Sequence, residues 1–246
     1  MYYTDTVTIP NYICDQYDHI ALWGLARLFQ ESAGHHAETA GMGFRQLIER
    51  GKAWVLSRMY YVIDRMPCEG ETVTVRTWSR GTDGLFAFRD FQLIDSQGVA
   101  ATCSTYWVII DFDTRRAVRI RDYWAAIATH PDCATDRQQL DRLRLPKDAQ
   151  PETVAHFPVK PSMLDHTFHV NNAEYIKWIM DNLPPQAPAQ APYRFSIEFL
   201  NETQPHETVS VIVCPTQPHD GAATYFKVTN DRATAVVAAI EPVMNV

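Results

Sequence analysis

Cys14-Asp15-Gln16-Tyr17-Asp18-His19-Ile20 and Leu164-Asp165-His166-Thr167-Phe168-His169-Val170 are one short pattern written twice, 150 residues apart. Each reads apolar, Asp, three residues, His, β-branched, and each runs into residues with helical apolar spacing. Two further pairs follow in the same order. Arg58–Val75 (RMYYVIDRMPCEGETVTV) aligns with Arg194–Val211 (RFSIEFLNETQPHETVSV), and Phe91–Ala101 (FQLIDSQGVAA) aligns with Phe226–Val236 (FKVTNDRATAV). The offset falls from 150 to 136 and 135, and the loss sits in the loop after the helix. Three ordered matches make a tandem repeat. The expected organisation is one unit over 1–121, a connecting segment over 122–150, and a second unit over 151–246.

Each copy reads as one helix followed by a run of strands. Leu22, Leu25, Ala26, Leu28 and Phe29 over 21–33 fall on one side of a helix that Gly41 and Gly43 break or end, and a short helix near 44–50 is expected before Gly51. Segments 53–64, 71–80, 86–94, 99–111 and 117–121 are dense in β-branched and aromatic residues, with turn residues between them. In copy two, Asn171 as N-cap with Glu174 at N3 predicts a capping box for a helix over 171–183, stopped by Pro184-Pro185. A strand is expected at 194–200. One helix and consecutive antiparallel strands exclude a doubly wound parallel sheet. They give an α+β layer, with a long helix packed on a curved antiparallel sheet. Two such units can join edge to edge, which protects edge strands.

Composition bounds the function. Hydrophobic residues make up 46% of the chain, enough for a real core, and the net charge of −7 argues against broad binding to nucleic acid or anionic lipid. The five cysteines are widely spaced, with no CxxC pair, and fit a reducing cytoplasm. The N-terminus reads as a strand rather than a signal peptide, and no apolar run suits membrane insertion. GxGxxG, P-loop and GxSxG motifs are absent, so no cofactor and no serine-hydrolase chemistry are expected. Neither His35 and His36 with Glu31 and Glu38, nor His166 with His169, supplies a convincing ligand set, so no metal is expected.

The string from Leu164 to Tyr175 (LDHTFHVNNAEY) resembles the D-x-N-x-H-V-N-N-x-x-Y signature of acyl-acyl-carrier-protein thioesterases. FQESAGHHAETAGMG, AWVLSRMYYVIDRMPCEGETVTVRTW and LFAFRDFQLID in the first half resemble the same family, so the likeness covers nearly the whole chain. It implies two fused hotdog units, hydrolysis of fatty acyl carrier thioesters, and an acyl carrier protein as partner. It also raises the expectation of a homodimer, although the fused repeat is an alternative way to satisfy that pairing. The alternatives are an acyl-CoA thioesterase and a non-catalytic acyl-binding protein. The last is motivated by Thr167, which stands where the signature has Asn and is shorter, with one polar atom.

The resemblance also distributes roles. Its E-[YF]-x-x-E element falls on Glu198–Glu202, which makes Glu202 the base or carboxylate nucleophile; taken alone, Glu202 reads as an exposed turn residue. Asp165, Thr167 and His169 complete the catalytic set. The backbone N–H groups at the start of the following helix suit an oxyanion, with Asn171 and Asn172 holding that turn against the substrate. Copy one has Ala21-Leu22 and Met66 at the matching places, so it is expected to be catalytically silent. Its helix face, Leu22, Leu25 and Phe29, is the candidate acyl-chain surface, against a plain core reading. Arg115, Arg116, Arg119 and Arg121 form a basic strip that suits docking of an acidic carrier.

Overall fold

A computed structural model describes residues 2–120, 128–147, 149–214 and 223–243. It divides into two compact units, Met1–Tyr61 with Arg65–Leu140, and Val62–Asp64 with Asp141–Val246. In the first unit, β1 (Tyr3–Thr8), a single 3-10 turn (Asn11–Ile13), α1 (Leu22–Thr39) and α2 (Phe44–Ile48) precede β2 (Lys52–Ile63), β3 (Thr72–Thr82), β4 (Ala87–Asp95), β5 (Gly98–Asp111) and β6 (Ala117–Val118). The strands lie in the order β1-β3-β4-β5-β2, with β6 on β5. In the second unit, β7 (Glu152–Pro158), a 3-10 turn (Pro161–Met163) and α3 (Asn172–Met180) precede β8 (Tyr193–Phe199), β9 (Thr208–Cys214), β10 (Thr224–Thr229) and β11 (Thr234–Pro242). Their order is β7-β9-β10-β11-β8, the same topology one copy later.

Helix α1 runs to Thr39, just short of the left-handed Gly41, one of the two glycines expected to break or end it. It buries Leu22, Leu25, Phe29 and Ala33 against the sheet, and Phe29 stacks on Phe91 of β4 at 4.8 Å between ring centroids. A fully buried aromatic or aliphatic side chain of this kind contributes about 1.5–3 kcal/mol. β6 is only two residues, not the five expected. Helix α3 is shorter than expected, ending at Met180, where the Asn182 side chain donates to Trp178 O at 2.8 Å.

The connecting segment does not run free in solvent. Residues 130–140 lie along the face of the first sheet opposite α1. Neighbours on a strand point to opposite faces, so Asp90 turns away from the helix that Phe91 meets. Its carboxylate accepts from Arg80 Nε at 2.9 Å and from the Ala134 N–H at 2.6 Å. Trp78 Nε1 donates to Asp132 O, Tyr60 Oη donates to Asp136, Arg80 Nη1 donates to Gln138 O, and Tyr106 Oη accepts from the Leu140 N–H. The polar groups of this stretch are spent on side chains of the sheet.

On the α1 side, Arg89 is buried and donates to His36 Nδ1 at 3.0 Å and Thr77 Oγ1 at 3.2 Å. Burial and the Arg89 guanidinium push His36 down to about 4 from its ordinary 6.5. The folded protein therefore refuses a proton that the unfolded chain accepts between those values. Stability from this group is complete above about pH 6.5 and is lost as the pH falls toward about 4. Urea titrations across that range are expected to show wild type losing stability more steeply than His36→Gln, which keeps an acceptor for Arg89. Parallel pH profiles would defeat this assignment.

Among the described residues no helix is long and apolar enough to cross a membrane. Cys14, Cys68, Cys103, Cys133 and Cys214 are free thiols.

Candidate active site

The loop before α3 is built by one carboxylate. Asp165 Oδ1 accepts from the Thr167 N–H at 2.8 Å, the Asp165 N–H donates to His169 O at 2.9 Å, and the Phe168 N–H donates to Asp165 O at 3.1 Å. An Asp side chain that bonds the backbone two residues on is a turn former by local chemistry. The same construction stands in copy one. Asp15 Oδ1 accepts from the Tyr17 N–H at 2.9 Å, and the Asp15 N–H donates to His19 O at 2.8 Å. Asp18 and Phe168 take left-handed φ values of 62° and 61°.

In copy two this turn extends into a chain of side chains. The Thr167 hydroxyl donates to Asp165 Oδ1 at 2.5 Å and lies 3.1 Å from His169 Nδ1. A hydroxyl has one proton to give and lone pairs to receive. Donation to Asp165 leaves its oxygen to accept the Nδ1–H of His169, which fixes the imidazole. His169 Nε2 then faces Glu202 Oε2 at 3.2 Å, with side-chain exposures of 23% and 34%. That distance puts the ring nitrogen and the carboxylate oxygen within hydrogen-bonding reach of each other. Thr167, though shorter than Asn and with a single polar atom, bridges Asp165 and His169 because that atom both donates and accepts.

Glu202 is held from behind. The Val170 N–H donates to Thr203 O at 3.0 Å, tying the histidine loop to the glutamate loop. Asn230 Nδ2 donates to Glu202 O and to Thr203 Oγ1, each at 3.1 Å, and Arg232 Nη2 donates to Glu202 O at 2.8 Å. Arg232 is itself gripped by Glu207 through Nε and Nη2. Beneath the site, burial pushes the Tyr175 phenol up to about 12. The sequence reading missed Asn230 and Arg232. Asn230-Asp231-Arg232 reads as an ordinary hairpin turn, and no spacing links it to Glu202.

Asn171 is the N-cap of α3, and its side chain accepts from the Ala173 N–H at 2.9 Å. Its own N–H donates to Met163 O at 3.0 Å, and the Glu174 N–H donates to Asn171 O at 2.9 Å. Of the N–H groups expected to receive an oxyanion, these bonds leave Asn172, the first residue of α3. Leu22, Leu25 and Phe29 lie in the first unit's core, with Leu25 and Phe29 at 0% exposure. Arg115, Arg116 and Arg119 are exposed around the β5–β6 turn; Arg121 lies outside the described residues. Among the described residues no group of three or more His, Cys, Asp or Glu is arranged to hold a metal ion.

Fold and site together define the class, a tandem double-hotdog protein with its polar chain of groups in the second copy. The acyl-ACP thioesterase N-terminal domain model matches residues 1–127, and the C-terminal domain model matches residues 146–242. The chain belongs to the acyl-ACP thioesterase family. It is 26% identical to the oleoyl-acyl carrier protein thioesterase of Coriandrum sativum, over 87% of this chain and 63% of that protein. It is 31% identical to the palmitoyl-acyl carrier protein thioesterase of Gossypium hirsutum, over 63% of this chain and 40% of that protein. The chain thus spans less than two thirds of these relatives' length. An acyl-ACP thioesterase structure from Bacteroides thetaiotaomicron superposes with TM-score 0.82 at 22% identity, covering 98% of this chain and 97% of that one. The 12:0-ACP thioesterase of Umbellularia californica gives TM-score 0.82 at 20% identity, covering 98% and 96%.

Proposed function

We propose that this protein hydrolyses fatty acyl thioesters of an acyl carrier protein, releasing the free acid and the carrier thiol. The observation that carries this reading is the Asp165–Thr167–His169–Glu202 chain beside the start of α3. Glu202 acts as general base. It takes a proton from water as the water oxygen attacks the thioester carbonyl. His169, oriented through Thr167 and Asp165, sets the proton position on the glutamate. The Asn172 N–H, at a helix N-terminus, offers a donor to the oxyanion of the tetrahedral adduct. Collapse breaks the carbon–sulfur bond, and the departing thiolate takes the proton back. Water supplies the oxygen added to the acid, so the step balances without a cofactor.

The same reading assigns the acyl chain to the first unit. Its candidate lining there is the apolar α1 face of Leu22, Leu25 and Phe29, which packs in that unit's core. It assigns carrier docking to Arg115, Arg116 and Arg119, with Arg121 beyond them, because an acidic chain with a local basic strip can attract an acidic carrier. Pairing of two copies, and a cytoplasmic setting that keeps the five free thiols reduced, belong to it as well.

Thiol release should be measured on acyl carriers of graded chain length and on the matching acyl-CoAs. Carrier substrates are expected to show kcat/KM about tenfold or more above the CoA esters at low salt, with the gap narrowing as salt rises. Equal rates on both would sink the carrier assignment, and no release from either would sink the hydrolase.

A further inference from the structure

The two copies differ at one position where the backbone does not explain the choice. Asp18 and Phe168 occupy the same left-handed φ in the same turn. Asp tolerates that region because its short polar side chain bonds locally; a bulky aromatic residue there is a steric outlier. Phe168 is also 75% exposed, so its ring gains little from core packing. The turn is closed on both sides of it by the Phe168 N–H to Asp165 O bond and the Asp165 N–H to His169 O bond, so the ring stands out from a braced backbone. Its chain neighbours are Thr167 and His169, both within the catalytic relay. A second exchange follows the same sense. Leu200, two residues before Glu202, is 45% exposed, and the aligned residue of copy one is Asp64. The silent copy carries two acidic residues where the copy with the relay carries two exposed apolar ones.

We propose that Phe168 is a substrate-contact residue, a platform beside His169 and Glu202 for the arm that delivers the thioester. The inference rests on the thioesterase reading and names a residue that reading does not use. The arm shared by carriers and CoA is a flexible run of amide and methylene groups ending in sulfur. An exposed aromatic face suits such a chain, and an aspartate does not. The arm covers the ring when bound, which offsets the backbone strain that the free protein carries.

The test separates contact from scaffold. Phe168→Asn relieves the left-handed strain and removes the ring. Its thermal midpoint is expected to rise by about 2–4 °C. Its Kd for a carrier bearing a non-hydrolysable alkyl thioether, read by fluorescence anisotropy, is expected to rise about tenfold. Phe168→Trp should keep the wild-type Kd. An unchanged Kd in Phe168→Asn, or a lowered midpoint, overturns the proposal. Because the probe cannot turn over, the binding readout is independent of hydrolysis. Wild type that binds the thioether carrier but cleaves no thioester would overturn the hydrolase reading and leave the contact standing.

Discussion

Glu202→Gln lowers kcat for thiol release by about 10²–10⁴-fold, the range that general-base catalysis supplies. Glutamine fills the same volume and still meets His169 Nε2 by hydrogen bonding, but it cannot take a proton from water. The backbone at this position stays held by Asn230 and Arg232, because both bond the Glu202 carbonyl rather than its side chain. The side chain is 34% exposed, so the substitution leaves little buried desolvation uncompensated and the thermal midpoint should stay near wild type. Since proton transfer occurs in the transition state, kcat and kcat/KM should fall together with KM nearly constant. His169→Ala should follow in the same direction. A Glu202→Gln protein retaining more than about a tenth of wild-type kcat would remove Glu202 from the proton-transfer role.

Asp90→Ala destabilises the protein by about 3–5 kcal/mol, the cost of stranding one partner of a buried ion pair. Asp90 is at 0% exposure, and Arg80 beside it is nearly as buried. Without the carboxylate, the Arg80 guanidinium has no countercharge there and the Ala134 N–H loses its acceptor. The midpoint should fall by about 10 °C or more. Residues 130–140 should also become protease-sensitive before the rest of the first unit, because Asp90 is one of their main attachments. The double variant Arg80→Met with Asp90→Leu should recover much of the loss, since an apolar pair of similar volume often replaces a buried ion pair at little cost. A single variant within about 1 kcal/mol of wild type would contradict this account of the pair.

The repeat was legible because its geometry is local. Asp15 and Asp165 each bond backbone groups two to four residues away, so the same short pattern folds into the same turn 150 residues later. The α1 face was legible from the spacing of Leu22, Leu25 and Phe29. Its end was legible in Gly41, which takes a left-handed φ two residues after Thr39. Asn171 was legible as an N-cap. The Asn171 N–H, expected to meet Glu174, goes instead to Met163 O, a contact with the preceding turn that helix periodicity does not encode.

The sequence by itself determined the tandem α+β plan, the family likeness, and the Asp165–His169 turn, all products of patterning and short-range hydrogen bonding. Glu202 could be named only by resemblance, because nothing in its spacing points to a histidine 33 residues earlier. Tertiary structure alone decided that Thr167 bridges Asp165 to His169, that His169 meets Glu202, and that Asn230 and Arg232 brace the glutamate. It also decided that 130–140 is anchored through Asp90. Apart from the Thr167 bridge, which lies within one loop, these contacts join groups from separate strands and loops. Their distances are set by how the sheets pair and how the turns pack, and no sequence period carries that information.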